Sequence, residues 1–178
     1  MSHPAQQEFV ERLKNKFSNY FENKSVLEVG SLDINGTIRQ FFTDCDYIGI
    51  DIGEGPGVDI VCEGQNFEAS ECSYDVTCST ECFEHNPYWV ETFQNMIRMT
   101  KHQGLVFFTC ATTGRAEHGT KNQYPHCSPL TIQKGWEYYK NLTEEDIKEN
   151  FDLDSLFSSY DFEVENVSCD LYFWGIKK

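Results

Sequence analysis

The sequence predicts an α/β fold: one mostly parallel sheet, helices on both faces, and an antiparallel hairpin at the C-terminal end. The first observation is the run Val26-Leu27-Glu28-Val29-Gly30, followed by a turn, a helical segment and Tyr47-Ile48-Gly49-Ile50-Asp51. It reads as a strand, a glycine-bounded turn, a helix and a second strand. Second, short apolar runs go on alternating with helix-period segments, as parallel strands with crossovers require. Third, the closing strands at 162–167 and 171–176 are separated only by Ser168-Cys169-Asp170, and strands joined so briefly run antiparallel. At 178 residues the chain fits a single domain spanning 1–178.

Pro4 suits a first helical position, and Phe9, Leu13 and Phe17 recur at four-residue spacing, which predicts a helix over about residues 4–22 packed on the sheet. Strands follow at 25–29 and 47–51, with a helix at about 35–42 between them. Gly53-Glu54-Gly55-Pro56-Gly57 is too short and glycine-rich for a crossover helix. A loop therefore makes that connection, or the strand after it is marginally paired. Asn86-Pro87 is read as cap and first residue of a helix whose apolar face is Trp89, Val90, Phe93, Met96 and Ile97. Thr143 caps a helix over 143–150, with Glu144, Glu145 and Asp146 at its positive end and Leu142 and Ile147 as a hydrophobic staple. Between these elements, residues 111–141 show no clear periodicity. A loop of that length in a compact domain is usually functional, and it follows the carboxyl end of a central strand, where ligands bind in open sheets.

Glycine at 30 lets backbone approach a ligand, and the acid at 51, 21 residues on, is placed to take ribose hydroxyls. A dinucleotide site wants further glycines, because a pyrophosphate lies against bare backbone. Here Ser31, Leu32 and Asp33 fill the loop, with a negative charge where phosphate would sit. The ligand expected is a phosphate-free, cationic nucleoside, and S-adenosylmethionine suits it.

With these residues the chain resembles the class I S-adenosylmethionine-dependent methyltransferases. The resemblance extends through Val58-Asp59-Ile60-Val61-Cys62-Glu63-Gly64, similar to the third strand and its acidic turn, and Thr80-Glu81-Cys82-Phe83-Glu84-His85, similar to the turn after the fourth. Gly104-Leu105-Val106-Phe107-Phe108-Thr109-Cys110 looks like the fifth strand, and Tyr138-Tyr139-Lys140-Asn141-Leu142-Thr143 like the lead into the last helix. It implies a Rossmann-like fold and a cofactor wall of Glu28, Gly30, Ser31, Asn35, Gly36, Asp51, Ile52, Glu63, Gly64, Thr80 and Glu81. Within it Glu63 and Gly64 would read the adenine. Glu28, a costly carboxylate in an apolar run, would bond loop amides or the cofactor's ammonium.

Composition narrows the partners. A formal net charge of −15 repels phosphate backbones and anionic membranes, so no nucleic-acid or membrane partner is expected. Eight cysteines show no C-x-x-C spacing and read as reduced. No run approaches the ~18 apolar residues of a membrane span, and the N-terminus is polar, so a cytoplasmic protein is expected. His118, His126 and Cys127 lack the complete ligand set that zinc demands, so the pocket is expected to need no metal.

Methyl transfer to oxygen needs the acceptor held in line and its proton removed. His118, beside Glu117 and Gly119, is the first candidate base, and His85 the second. Arg115, Glu117, Tyr124 and Tyr139, with Trp136, are the expected acceptor contacts. The expected activity is O-methylation of a small molecule or glycan. The alternatives are a non-catalytic S-adenosylmethionine-binding module and, third, a small NAD-dependent oxidoreductase.

Overall fold

The computed structural model describes residues 4–178. Its elements in chain order are α1 (Pro4–Lys16), β1 (Ser25–Val29), β2 (Asp46–Asp51), β3 (Ile60–Val61), β4 (Tyr74–Thr80), α2 (Trp89–Met99), β5 (Thr100–Ala111), α3 (Pro129–Lys134), α4 (Glu144–Asn150), α5 (Leu153–Leu156), β6 (Phe157–Glu165) and β7 (Asp170–Lys177). One seven-stranded sheet forms in the order β3-β2-β1-β4-β5-β7-β6. The first five strands are parallel, and β7 runs antiparallel to both β5 and β6.

Alternation along the strands divides the core in two. Leu27, Val29, Val106 and Phe108 face α2 and α4, where Phe93, Met96 and Ile147 are buried. Val26, Cys78, Leu105 and Phe107 face α1 through Phe9, Val10 and Leu13. The amphipathic stripe of α1 thus covers the sheet as its spacing requires. The α-helix ends at Lys16, and a 3-10 turn, Ser18–Tyr20, completes the expected segment. Thr143 caps α4 in a capping box with Asp146, and Leu142 and Ile147 are both fully buried.

Three expected elements differ. The helix over 35–42 is replaced by loop and a 3-10 turn, Arg39–Phe41. Asp33 Oδ1 accepts from the Gly36 amide at 2.8 Å, Gly36 has φ +132°, and Thr37 Oγ1 accepts from the Arg39 amide at 3.1 Å. Such local side-chain bonds compete with a helical ladder, and β-branched Thr37 and Ile38 do not favour one. Asn86 does not cap α2: its Oδ1 accepts from the Tyr88 amide at 2.9 Å in a turn around Pro87, and the helix begins at Trp89. Strand β6 begins at Phe157, five residues before the expected start. The marginal third strand is present as β3, two residues long, with Ile60 and Val61 exposed.

Candidate active site

The strand order reverses between β1 and β4, and a cleft opens there at the carboxyl ends of the strands, the ligand position of open α/β sheets. Gly30 and Leu32 line it from the turn after β1, Asp51 and Ile52 from the end of β2, Cys62 and Gly64 from the segment after β3, and Glu81, Cys82 and His85 from the segment after β4. Segment 111–141 roofs the cleft: Ser128, Leu130, Thr131 and Trp136 complete its lining. Lys134 holds the roof to Glu63 at 2.6 Å.

Gly30 has φ +80°, and a Cβ there would lie 2.6 Å from Cβ of Cys82, so only glycine fits this wall. Asp51 Oδ2 accepts from the Leu32 amide at 3.0 Å and Oδ1 from the Ile52 amide at 2.8 Å. Those bonds orient the carboxylate, while burial pushes its pKa up. A carboxylate oxygen accepts more than one hydrogen bond, so Asp51 can take a diol without releasing its loop.

The other expected cofactor residues divide into those at the cleft and those behind it. Gly64 is buried in the wall, and Asn35 lines an adjoining pocket with Glu81, Arg115 and His118. Glu28 lies on the α1 side, accepting from the Tyr47 hydroxyl at 2.8 Å, and burial pushes its pKa up. Ser31 is buried against Gly49, Gly36 sits in the Asp33 turn, and Thr80 is buried at the end of β4. Glu63 is engaged by Lys134, by Gln65 at 2.8 Å and by Asn66 at 2.9 Å, and its neighbours Cys62 and Gly64 reach the cleft instead.

On the other side stand both histidines. Their rings meet edge to face at 4.9 Å, with Tyr139 at 5.0 Å from His118 and 5.5 Å from His85. His118 Nδ1 lies 3.0 Å from the Ala116 carbonyl, which also accepts from the Tyr139 hydroxyl at 3.2 Å. Glu84 is fully buried and His85 only 3% exposed, with His85 Nε2 3.9 Å from Glu84 Oε1. Burial, and then His118, pushes the His85 pKa down to about 3. Burial pushes Glu84 up to about 7, and burial with the neighbouring Glu84 charge pushes Glu81 up as well. Glu81 also carries a left-handed backbone, φ +50°, a strain often held at functional sites.

Arg115 donates to the Ser168 carbonyl at 2.5 Å and lies 3.4 Å from the buried Asp170 carboxylate; its charge partner is Asp170 rather than Glu117. Glu117 is exposed and accepts from Thr120 Oγ1 at 2.8 Å. Tyr124 is 60% exposed and lines neither the cleft nor the adjoining pocket. Sequence reasoning missed Glu84 as a site residue, although it stands one residue before His85 in the turn already singled out.

No protein-family model and no curated protein sequence matches this chain. Solved structures do. Over all of this chain and 92% of the other, it superposes on a Burkholderia thailandensis 1,6-didemethyltoxoflavin-N1-methyltransferase with bound 1,6-didemethyltoxoflavin and S-adenosylhomocysteine, with a TM-score of 0.61 and 12% identity. A SAM-dependent methyltransferase from Archaeoglobus fulgidus matches 96% of this chain and 94% of its own, with a TM-score of 0.61 and 13% identity. Phosphoethanolamine N-methyltransferase 2 of Haemonchus contortus, in complex with S-adenosyl-L-methionine, gives a TM-score of 0.66 and 15% identity over 98% of this chain but 52% of that one. The chain has the class I methyltransferase fold, a mostly parallel seven-stranded sheet closed by an antiparallel pair.

Proposed function

We propose that this protein is an S-adenosylmethionine-dependent methyltransferase acting on a small-molecule or glycan hydroxyl. The observation that carries the reading is one cleft at the reversal of strand order, with bare backbone at Gly30, an oriented carboxylate at Asp51, and a separate polar cluster across from them. The turn after β1 is unfavourable for a pyrophosphate: Asp33 puts a carboxylate there and takes the Gly36 amide itself. Neighbours of the same fold hold S-adenosylmethionine or S-adenosylhomocysteine, and one holds a small-molecule substrate, which supports the choice of ligand.

In this reading Asp51 takes the ribose diol, the Cys62–Gly64 wall meets the adenine, and the Gly30–Leu32 turn meets the methionine end. The acceptor enters beside Glu81, His118 and Arg115. Catalysis rests on alignment and exclusion of water under the 111–141 roof. His85, its charged form suppressed by burial, is poorly suited to keep a proton at neutral pH. His118 is the imidazole that activates the acceptor.

Calorimetry tests the cofactor assignment. Hydrogen bonds to a charged group are worth about 1.5–3 kcal/mol each, so Asp51→Ala should weaken S-adenosylmethionine binding at least about tenfold, with NAD bound by neither protein. Unchanged affinity in the variant removes Asp51 from the site.

A further inference from the structure

We propose that Glu84, His85 and His118 bind a divalent transition-metal cation on the acceptor side of the cleft. One ligand atom from each of these side chains can be chosen so that all three lie within 4.8 Å of one another. Neither His85 nitrogen has a hydrogen-bond partner, and the side chain facing Glu84 besides His85 is a second buried carboxyl, Glu81, though Glu84 and His85 are 0% and 3% exposed. Buried polar groups are nearly always partnered, and a buried carboxylate set beside a second one is costly unless a positive charge joins them. A cation satisfies a carboxylate and two imidazoles together. Two nitrogens and one oxygen suit Zn²⁺, Fe²⁺ or Co²⁺ better than Ca²⁺ or Mg²⁺.

The surroundings fit coordination. Nδ1–H of His118 donating to the Ala116 carbonyl selects the tautomer with its lone pair on Nε2, the second-layer bond typical of ligating histidines. Tyr139 packs edge-on against both imidazoles. Ligand atoms around a tetrahedral ion stand roughly 3.4 Å apart, so side-chain rotation of about an ångström closes the set. Three protein ligands leave a position open, the arrangement of reactive rather than structural metal sites. Glu81 and His118 also line the adjoining pocket.

Building on the proposed methyltransferase activity, the open position takes the acceptor oxygen. A hydroxyl on the cation loses its proton to solvent more readily. The oxyanion then forms its bond to the methyl carbon as the carbon–sulfur bond breaks, leaving a neutral thioether. His118 acts here as a ligand, and the cation replaces it in lowering the acceptor's pKa. This departs from the metal-free pocket expected of the sequence: the partners of His118 are Glu84 and His85 rather than His126 and Cys127.

The experiment is titration of the full, untagged, chelator-stripped chain with Co²⁺ and with Zn²⁺, read by visible absorption and calorimetry. One equivalent should bind. His118→Ala and the isosteric Glu84→Gln, each checked by circular dichroism, should weaken binding at least about tenfold, and His126→Ala should leave it unchanged. Absence of binding by the folded parent, or binding undiminished in folded His118→Ala, overturns the proposal. S-adenosylmethionine affinity measured on the same samples reports on the cofactor reading separately, because cation binding requires neither cofactor nor acceptor.

Discussion

At the amino end of the sheet, the Asp75 carboxylate accepts from the Ser25 amide at 3.0 Å, the Ser25 hydroxyl at 2.7 Å and Lys101 Nζ at 2.9 Å. These bonds outweigh its partial burial and hold its pKa down to about 2. At the carboxyl end, Glu84 is buried against the Glu81 carboxyl and 3.9 Å from His85 Nε2, and burial pushes it up to about 7. Asp75 lies in β4, and Glu84 lies in the turn that follows it. A carboxylate bonded to neighbouring strands and to Lys101 helps hold the scaffold together, whereas Glu84 faces other titratable groups of the candidate site.

The largest test of that contrast is His118→Ala. Loss of positioned acceptor activation should lower turnover by about 10²–10⁴-fold, while S-adenosylmethionine affinity and the thermal midpoint stay near parental values. A raised KM with kcat unchanged would instead make His118 a shaper of the pocket. Asp75→Asn should do the reverse, costing about 1–2 kcal/mol of stability at neutral pH with kcat preserved. The sign follows from a folded pKa of about 2, below the ordinary value of about 4. The Asp75 contribution is complete above pH ~4 and lost as pH falls toward 2, so parent and variant should converge in acid denaturation. A constant gap between them would mean that Asp75 is not the group that titrates. The smallest effect belongs to Glu84→Gln in the metal-free chain. It removes a carboxyl whose charged form burial already disfavours, so stability should hold or rise by up to about 1 kcal/mol. A clear fall would place a structural bond on Glu84.

Much of this arrangement was legible in the sequence because it is local. The apolar run at 25–29 and the Thr143 cap with its staple each carry their own signal, and β1 and α4 appear where expected. The segment at 35–42 differs because a crossover between parallel strands need not be helical, and the Asp33 side chain ties the chain into a turn first. The site divides in the same way. Gly30 and Asp51 follow from one strand–turn–strand unit and both line the cleft. Glu28 and Glu63 carried the same acidic signal, but Tyr47 and Lys134 engage them, and those partners come from other segments. Only the fold could bring His118, far along the chain, against His85 and Glu84.

The sheet also ends in a telling way. Strand β3 offers only two residues at one edge, too few to template another chain's strand. Strand β6, the other edge, is nine residues long, but it carries Asp161 and Glu163 exposed, with Arg12 bridging to Glu163 at 2.7 Å. Two copies meeting there would oppose like charges on chains that each carry −15. The protein therefore guards itself against edge-to-edge aggregation by brevity on one side and by repulsion on the other. The second guard is the weaker at high ionic strength, since charges are screened beyond about 8 Å at ~0.15 M salt.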